Sequence, residues 1–78
     1  GFSDNLVAFR DKPIIFEVNA VDQESDQLIY KWNFGFFDRF VGENKHQRIF
    51  TTAGKKKVEV IVSDGVESVS KIWNVEVV

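Results

Sequence analysis

The fold class is decided by residues 55–65, which read KKKVEVIVSDG. Apolar side chains alternate here with mostly charged ones, and a period of two residues is the pattern of a β-strand with one buried face. We predict that the inward-facing side chains are Val58, Val60 and Val62 and that the outward-facing ones are Lys57, Glu59 and Ile61. Asp64 and Gly65 form a strong turn signal, so the chain is expected to reverse after this strand.

Three more segments alternate in the same way, and they begin at residues 14, 28 and 69. Their predicted inward-facing side chains are Ile14, Phe16, Val18 and Ala20, then Leu28, Tyr30, Trp32 and Phe34, and finally Trp73, Val75 and Val77. Asn74 and Glu76 then face solvent, and Pro13 begins a strand, where its missing N–H does least harm. A further strand is predicted over residues 48–52, and a short edge strand with loops over residues 36–47.

Six or seven short strands with turns about every ten residues predict an all-β fold, an antiparallel β-sandwich of about seven strands. Each sheet is expected to have one exposed face, because the apolar residues alternate with polar ones. The 78 residues form a single domain over 1–78, and eight Phe and two Trp supply its core. Both ends of the chain have strand-like sequence, as expected of one domain excised from a longer multidomain protein.

The composition excludes several classes of function. The chain has no Cys, which rules out disulfides, thiolate zinc sites and a cysteine nucleophile. A net charge of −2 does not favour binding to the negatively charged backbone of a nucleic acid. No apolar run approaches the ~20 residues that span a bilayer, so we expect no membrane insertion. We expect a monomer.

The sequence resembles a known family in four places, the last of which is the closing strand over residues 70–77. Residues 30–35, YKWNFG, resemble the Y-x-W-D-F-G segment of PKD (polycystic kidney disease) domains, and residues 22–26 resemble their D-P-D-G-D turn. Residues 50–65 are similar to the strand, turn and strand that follow in that family, although Arg48 stands where a His is frequent. The resemblance covers residues 13–78. It implies a seven-stranded immunoglobulin-like sandwich, related to cadherin-like domains and found in cell-surface and secreted proteins.

The acidic turn is a candidate metal site. Asp22, Glu24 and Asp26 alternate, and Asp64 approaches them if the two loops lie at the same end of the sandwich, with Glu67 as a further candidate. Carboxylate oxygens are the ligands that Ca²⁺ prefers, and the resemblance to calcium-binding PKD-like and cadherin-like turns makes such a site relevant. The alternative is an ordinary solvated turn, because acidic residues also crowd turns through their bonds to the backbone.

The aromatic segment over residues 34–41 is a candidate ligand surface. Phe37, Arg39 and Phe40 are the residues that we expect to contact a protein or a glycan if they are exposed. In the alternative interpretation, which we favour, the segment wraps around one edge of the sandwich and buries most of its rings. In either interpretation, alternation from an inward Phe34 places Phe36 inward and Phe37 outward.

Other functional residue types have ordinary structural explanations. His46 lies in a polar, Lys-flanked stretch that we expect to be solvated, and we predict no catalytic residues. Trp32 and Trp73 suit sugar stacking, but both fall on predicted inner faces, so core packing is favoured. The lysines at 55–57 offer a weak contact for an acidic glycan or a lipid surface, or else keep a strand start soluble and discourage edge pairing.

These expectations combine into one predicted function. The chain is expected to be a non-catalytic structural spacer or adhesion module of an extracellular or cell-surface protein, stiffened by Ca²⁺, with neighbouring domains of the same chain as its partners. The alternatives are a protein- or glycan-binding module and an accessory domain of a secreted hydrolase. The assignment to the cell exterior follows from the family resemblance alone.

Overall fold

The computed structural model describes residues 2–19, 28–35 and 37–78, and this part of the chain is all-β, with seven strands and no helix. The strands are β1 (Phe2–Ala8), β2 (Pro13–Glu17), β3 (Ile29–Asn33), β4 (Arg39–Gly42), β5 (Lys45–Ile49), β6 (Gly54–Ser63) and β7 (Ser68–Val77). The predicted all-β class and strand number are therefore confirmed. Within the same residues, no helix is long and apolar enough to cross a membrane.

The strands form two sheets of unequal size. Five of them pair in the order β1-β7-β6-β3-β4, and β2 pairs with β5 in a two-stranded sheet. We call the face of the large sheet that packs on β2 and β5 the inner face, and the opposite one the outer face. The small sheet covers the large one, which gives a small β-sandwich.

One pair of strands departs from the predicted antiparallel arrangement. β1 runs parallel to β7, with Phe2 opposite Lys71 and Ala8 opposite Val77, whereas the other four strand pairs are antiparallel. The expectation of purely antiparallel sheets was wrong here. A period of two residues shows which side chains are buried, but it carries no information on the direction of the neighbouring strand.

The core confirms the predicted faces of the two longest strands. Val58, Val60 and Val62 of β6 are buried, and so are Trp73, Val75 and Val77 of β7. Phe16 of β2 closes this core from the opposite sheet, with its ring edge-on to Trp73 at a centroid distance of 5.1 Å. Burying a large apolar side chain of this kind contributes about 1.5–3 kcal/mol, so these positions dominate the stability of the domain.

β5 ends earlier than the sequence suggested. It covers Lys45–Ile49 instead of residues 48–52, and its last residue lies opposite Pro13. Because proline has no N–H, it ends the ladder at the start of β2, as its position in the sequence predicted. The N–H of Asp11 donates instead to the carbonyl oxygen of Phe50 at 2.8 Å, which ties the following loop down.

Candidate functional site

An aromatic cluster joins the two sheets, and we use this name for Trp32, Phe34, Phe40 and His46. The Phe34 ring is stacked between two others, with centroid distances of 6.1 Å to Trp32 and 5.9 Å to Phe40. His46 reaches them from β5, and its ring centroid lies 4.8 Å from that of Phe40 and 5.1 Å from that of Phe34. The only histidine of the chain is therefore a packing residue between the sheets.

The expected solvation of His46 was wrong. The register of the small sheet places His46 opposite the buried Phe16, and Arg48 opposite Ile14, so both side chains of β5 face the inner side. The polar neighbours Lys45 and Gln47 face solvent and gave the segment its polar composition. Counting back in steps of two from Phe50 leads to Arg48 and His46, and this parity would have identified the two inward-facing, half-buried side chains.

Arg48 has three partners on the inner side. Its guanidinium carbon lies 3.9 Å from the centroid of the Phe34 ring, and both terminal nitrogens donate to the carboxylate of Asp38. The Nη2 atom also lies 3.4 Å from Nε2 of His46. A planar guanidinium suits this site, because it stacks on a ring with its face while its edge binds a carboxylate through two N–H groups.

These contacts shift two pKa values in a consistent direction. Burial lowers the pKa of His46, the positive charge of Arg48 lowers it further, and the Asp38 carboxylate acts in the opposite sense. The hydrogen bond from Arg48 lowers the pKa of Asp38 in spite of partial burial, and the charge of Arg48 adds to this effect, as does the charge of His46 once the imidazole is protonated. At neutral pH the cluster therefore holds a neutral imidazole beside an ionised Asp38–Arg48 pair.

The three predicted ligand-contact residues do not share one surface. Phe37 is fully exposed in the turn between β3 and β4, whereas Phe40 is half-buried in the aromatic cluster. Arg39 points to the outer face, because side chains alternate along β4. Of the predicted set, Phe37 and Arg39 remain accessible. Phe36 lies outside the described residues.

Arg39 borders a shallow recess on the outer face. The recess has a volume of about 210 Å³, and its walls are formed by Asn33, Gly35, Arg39, Lys57 and Glu59. The space beside Gly35 is open, since a Cβ built there meets nothing within 4 Å. Gly35 and Arg39, which lie on either side of Phe37 in the sequence, both line this polar recess.

The candidate calcium ligands fall mostly outside the described residues. This applies to Asp22, Glu24 and Asp26, whereas Asp64 is described and begins the loop between β6 and β7. The loop lies at the same end of the large sheet as Leu28, because the next residue, Ile29, pairs with Ser63. No group of three or more His, Asp or Glu residues suited to a metal ion occurs in residues 2–19, 28–35 and 37–78. Calcium binding stays a prediction.

Asp64 has a structural role in its own loop. Its Oδ1 atom accepts hydrogen bonds from the backbone N–H groups of Val66 and Glu67, each at 2.8 Å. Gly65 adopts a φ of 96°, a left-handed conformation that favours glycine. The prediction of a turn at Asp64 and Gly65 is confirmed, and the acidic side chain supplies its bonds. Glu67 is exposed.

The two tryptophans belong to the core, as expected. Trp32 and Trp73 are 1% and 5% exposed and stack on each other at a centroid distance of 5.8 Å. The indole N–H of Trp32 donates to the carbonyl oxygen of Glu43 at 2.8 Å, so its polar group is satisfied inside the sandwich. Neither ring offers a face to a sugar.

No family model matches the chain, and no curated protein sequence matches it.

Proposed function

We propose that this chain is a non-catalytic spacer module of a multidomain surface or secreted protein, in which it transmits tension between its two chain ends. The observation that carries the proposal is the parallel pairing of the first and last strands. β1 lies beside β7 in continuous register from Phe2 opposite Lys71 to Ala8 opposite Val77. The ladder continues beyond β7, because the N–H of Val78 donates to the carbonyl oxygen of Ala8 at 2.9 Å.

This geometry determines how the fold responds to force. The chain begins β1 at one end of the shared ladder and leaves β7 at the other, so tension on the two ends slides the strands past each other. Every β1–β7 hydrogen bond is then strained at the same time, instead of one after another as in unzipping. A module with this arrangement resists extension without any additional stabilising group.

The shape of the molecule is compatible with this role. Its extents along the principal axes are 41, 21 and 19 Å. Ser3 lies opposite Ile72, and six residue steps of about 3.3 Å lead from Ile72 to Val78. The two ends of the ladder at Ser3 and Val78 are therefore about 20 Å apart along the strands. We propose the neighbouring domains of the same chain as its partners, and the resemblance to PKD-type domains is the support for a surface or secreted protein.

The packing of His46 supports a non-catalytic role. The imidazole is held among three aromatic rings and next to a guanidinium, so it is committed to the contact between the sheets. A general base must instead reach the proton that it abstracts. A binding role is the second candidate, and a different observation favours it, namely the full exposure of Phe37 beside the recess at Arg39.

The distance between the chain ends tests the spacer proposal. The chain has no Cys, so Ser3→Cys and Val78→Cys attach two spin labels at defined places, and both positions are exposed. Double electron–electron resonance should give one narrow distance distribution, and it should broaden only when the domain is unfolded in urea. A broad or multiple distribution under native conditions would show that the ends are not held at a fixed spacing, and the proposal would fail.

A further inference from the structure

The outer face of the large sheet carries two rows of polar side chains that the spacer role does not use. In the first row the register places Asn5 opposite Asn74 and Asn74 opposite Lys57, on three adjacent strands. In the second row Glu59 lies opposite Asn33, and Asn33 opposite Arg39. Together these six side chains cross all five strands.

The two rows meet on β6. Lys57 and Glu59 are successive outward-facing residues of that strand, about 7 Å apart along it. With neighbouring strands about 4.8 Å apart, the four steps from β1 to β4 span about 19 Å across the sheet. This is an extended track, suited to a chain-like ligand, and not an enclosed pocket.

Each row borders a depression in the surface. The larger one, about 560 Å³, is lined by three consecutive residues from each of β1, β6 and β7, among them Asn5, Asn74 and Lys57. Six of its nine lining residues have outward-facing side chains, which places it on the outer face: Asn5, Val7, Lys55, Lys57, Asn74 and Glu76. The smaller recess beside Arg39 shares Lys57 with it. The two depressions therefore form one surface that is continuous through Lys57.

The charge of this face differs in sign from that of the chain. Its described residues include four cations, Lys31, Lys55, Lys57 and Arg39, against two carboxylates, Glu59 and Glu76, which gives a net charge of +2. The whole chain has a formal net charge of −2. The outer face is thus the side on which an anionic ligand gains from electrostatic complementarity.

The remaining side chains specify the chemistry of the ligand. The carboxamides of Asn5 and Asn74 each have N–H donors and an oxygen acceptor, a combination that suits hydroxyl groups, which also donate and accept. Asn33 contributes its N–H donors, because its Oδ1 atom accepts a hydrogen bond from the backbone N–H of Gly35 at 3.0 Å. Carboxylates suit Lys57 and Arg39 as partners. The exposed ring of Phe37, in the turn before Arg39, offers an apolar surface at the end of the track. Hydroxyls and carboxylates repeated along a chain are the chemistry of a uronic-acid polysaccharide.

We propose that the outer face binds an acidic polysaccharide across its strands, with the asparagine side chains on the sugar hydroxyls and with Lys57 and Arg39 on the carboxylates. A polyphosphate is a poorer occupant, because Glu59 and Glu76 lie on the same face and repel closely spaced charges. The inference goes beyond the spacer role and does not depend on it. The module would then both separate its neighbours and hold them against a polymer surface.

The test is a titration of the ¹⁵N-labelled chain with oligogalacturonate, with neutral maltohexaose as the comparison ligand. The amide signals of Asn5, Asn33, Lys57 and Asn74 should shift together and saturate with oligogalacturonate only. Removing the central charge in Lys57→Gln should weaken binding at least about tenfold. Asn74→Ala should weaken it to a smaller extent, since it removes neutral hydrogen bonds only.

Lys31→Gln is the matched control, because Lys31 is exposed on the same face but lines neither depression. It should change the affinity less than about twofold, and all three variants should keep the folded NMR spectrum. Equal weakening by Lys31→Gln would overturn the proposal in favour of diffuse charge. The absence of saturation at millimolar oligogalacturonate, equal binding of maltohexaose, or tighter binding of a DNA oligonucleotide or of phosphatidylserine vesicles would overturn it as well.

Discussion

The guanidinium of Arg48 covers the ring of Phe34, with the guanidinium carbon 3.9 Å from the ring centroid. Arg48 belongs to the small sheet, whereas Phe34 directly follows β3 of the large one. The same guanidinium also binds Asp38, which precedes β4. One cation thus fastens β5 to the turn between β3 and β4, and it does so beside the histidine of the aromatic cluster.

The first prediction concerns the shape of this cation. Arg48→Lys should lower the free energy of unfolding by about 1 kcal/mol, because an ammonium cannot stack on Phe34 and bind Asp38 through two N–H groups at once. Arg10→Lys is the control, since Arg10 is exposed, and it should stay within about 0.5 kcal/mol of the parent chain. Urea unfolding followed by tryptophan fluorescence measures both. Equal stability of the two variants would show that the stacked geometry contributes nothing.

The second prediction concerns pH. The pKa of His46 is lowered in the fold, so below the unfolded value of 6.5 the unfolded chain binds more protons than the native one. Stability should therefore fall as the pH drops through 6.5 towards the folded pKa of His46. Asp38 adds to this loss at lower pH, because the fold lowers its pKa from 3.8. The stabilisation that its carboxylate provides is lost as the pH falls through the pKa that Asp38 has in the folded chain.

His46→Gln separates this effect from the rest of the chain. The variant has no imidazole, so its unfolding free energy should be nearly flat between about pH 7.5 and 5.5, a range above the ordinary carboxyl pKa values. The parent chain should lose stability over the same range. If both chains showed the same slope in urea titrations at several pH values, the histidine would not be the group that responds.

The third prediction compares two neighbouring residues of β2. Phe16 is 1% exposed between the sheets, whereas Ile15 points outward and is 57% exposed. Phe16→Ala should cost about 3–5 kcal/mol, which is a large share of the stability of a small domain, and Ile15→Ala should cost less than about 1 kcal/mol. Chemical unfolding of both variants checks the sandwich arrangement. Similar losses would mean that the small sheet does not cover the large one at Phe16.

Local alternation was sufficient to predict the buried faces of the long strands. Burial alternates without interruption over Val58 to Val62 and over Trp73 to Val77. A strand with one buried face needs this period of two whichever strands it pairs with. Phe40 and Phe37 illustrate the limit of the rule. Alternation predicted the outward position of Phe37, which is exposed, but Phe40 was predicted as a ligand contact and is half-buried, because its burial depends on the turn that precedes β4.

The pairing of strands and the surroundings of polar residues could not be predicted from the same pattern. Nothing in residues 2–8 shows that this strand lies parallel to β7, because pairing depends on long-range packing. His46 was missed since hydrophobicity alone classifies imidazole as polar, although it packs against Phe40 and Phe34. The outer-face rows, such as Asn5 beside Asn74, become visible only through the register.

The fourth prediction concerns Asp64 and calcium. Asp64→Asn keeps a side-chain oxygen that accepts from Val66 and Glu67, so the loop should stay folded, whereas Asp64→Ala should destabilise the domain by about 1 kcal/mol. If Asp64 joins Asp22, Glu24 and Asp26 around Ca²⁺, Asp64→Asn should also weaken Ca²⁺ binding. An NMR titration with Ca²⁺, and with Mg²⁺ as the control, measures this. Unchanged spectra at millimolar Ca²⁺ would leave the acidic residues as an ordinary surface turn.

The proposed response to tension depends on where the force is applied. Pulled at its N terminus and its C terminus, the chain bears the force in shear across the whole β1–β7 ladder. Pulled at its N terminus and at a Val66→Cys handle, in the exposed loop before β7, it is loaded from the same end of both strands. The ladder then opens one pair at a time, because only the first pair is strained at any moment.

Single-molecule pulling at one loading rate in these two geometries tests whether the parallel β1–β7 ladder bears the tension. We predict a clearly higher unfolding force when the two chain ends are pulled than when the N terminus and position 66 are pulled. Equal stability of both handle-bearing proteins in urea provides the control. An end-to-end unfolding force equal to or below that of the second geometry would contradict the claim that the parallel terminal strands make this module a tension-bearing spacer.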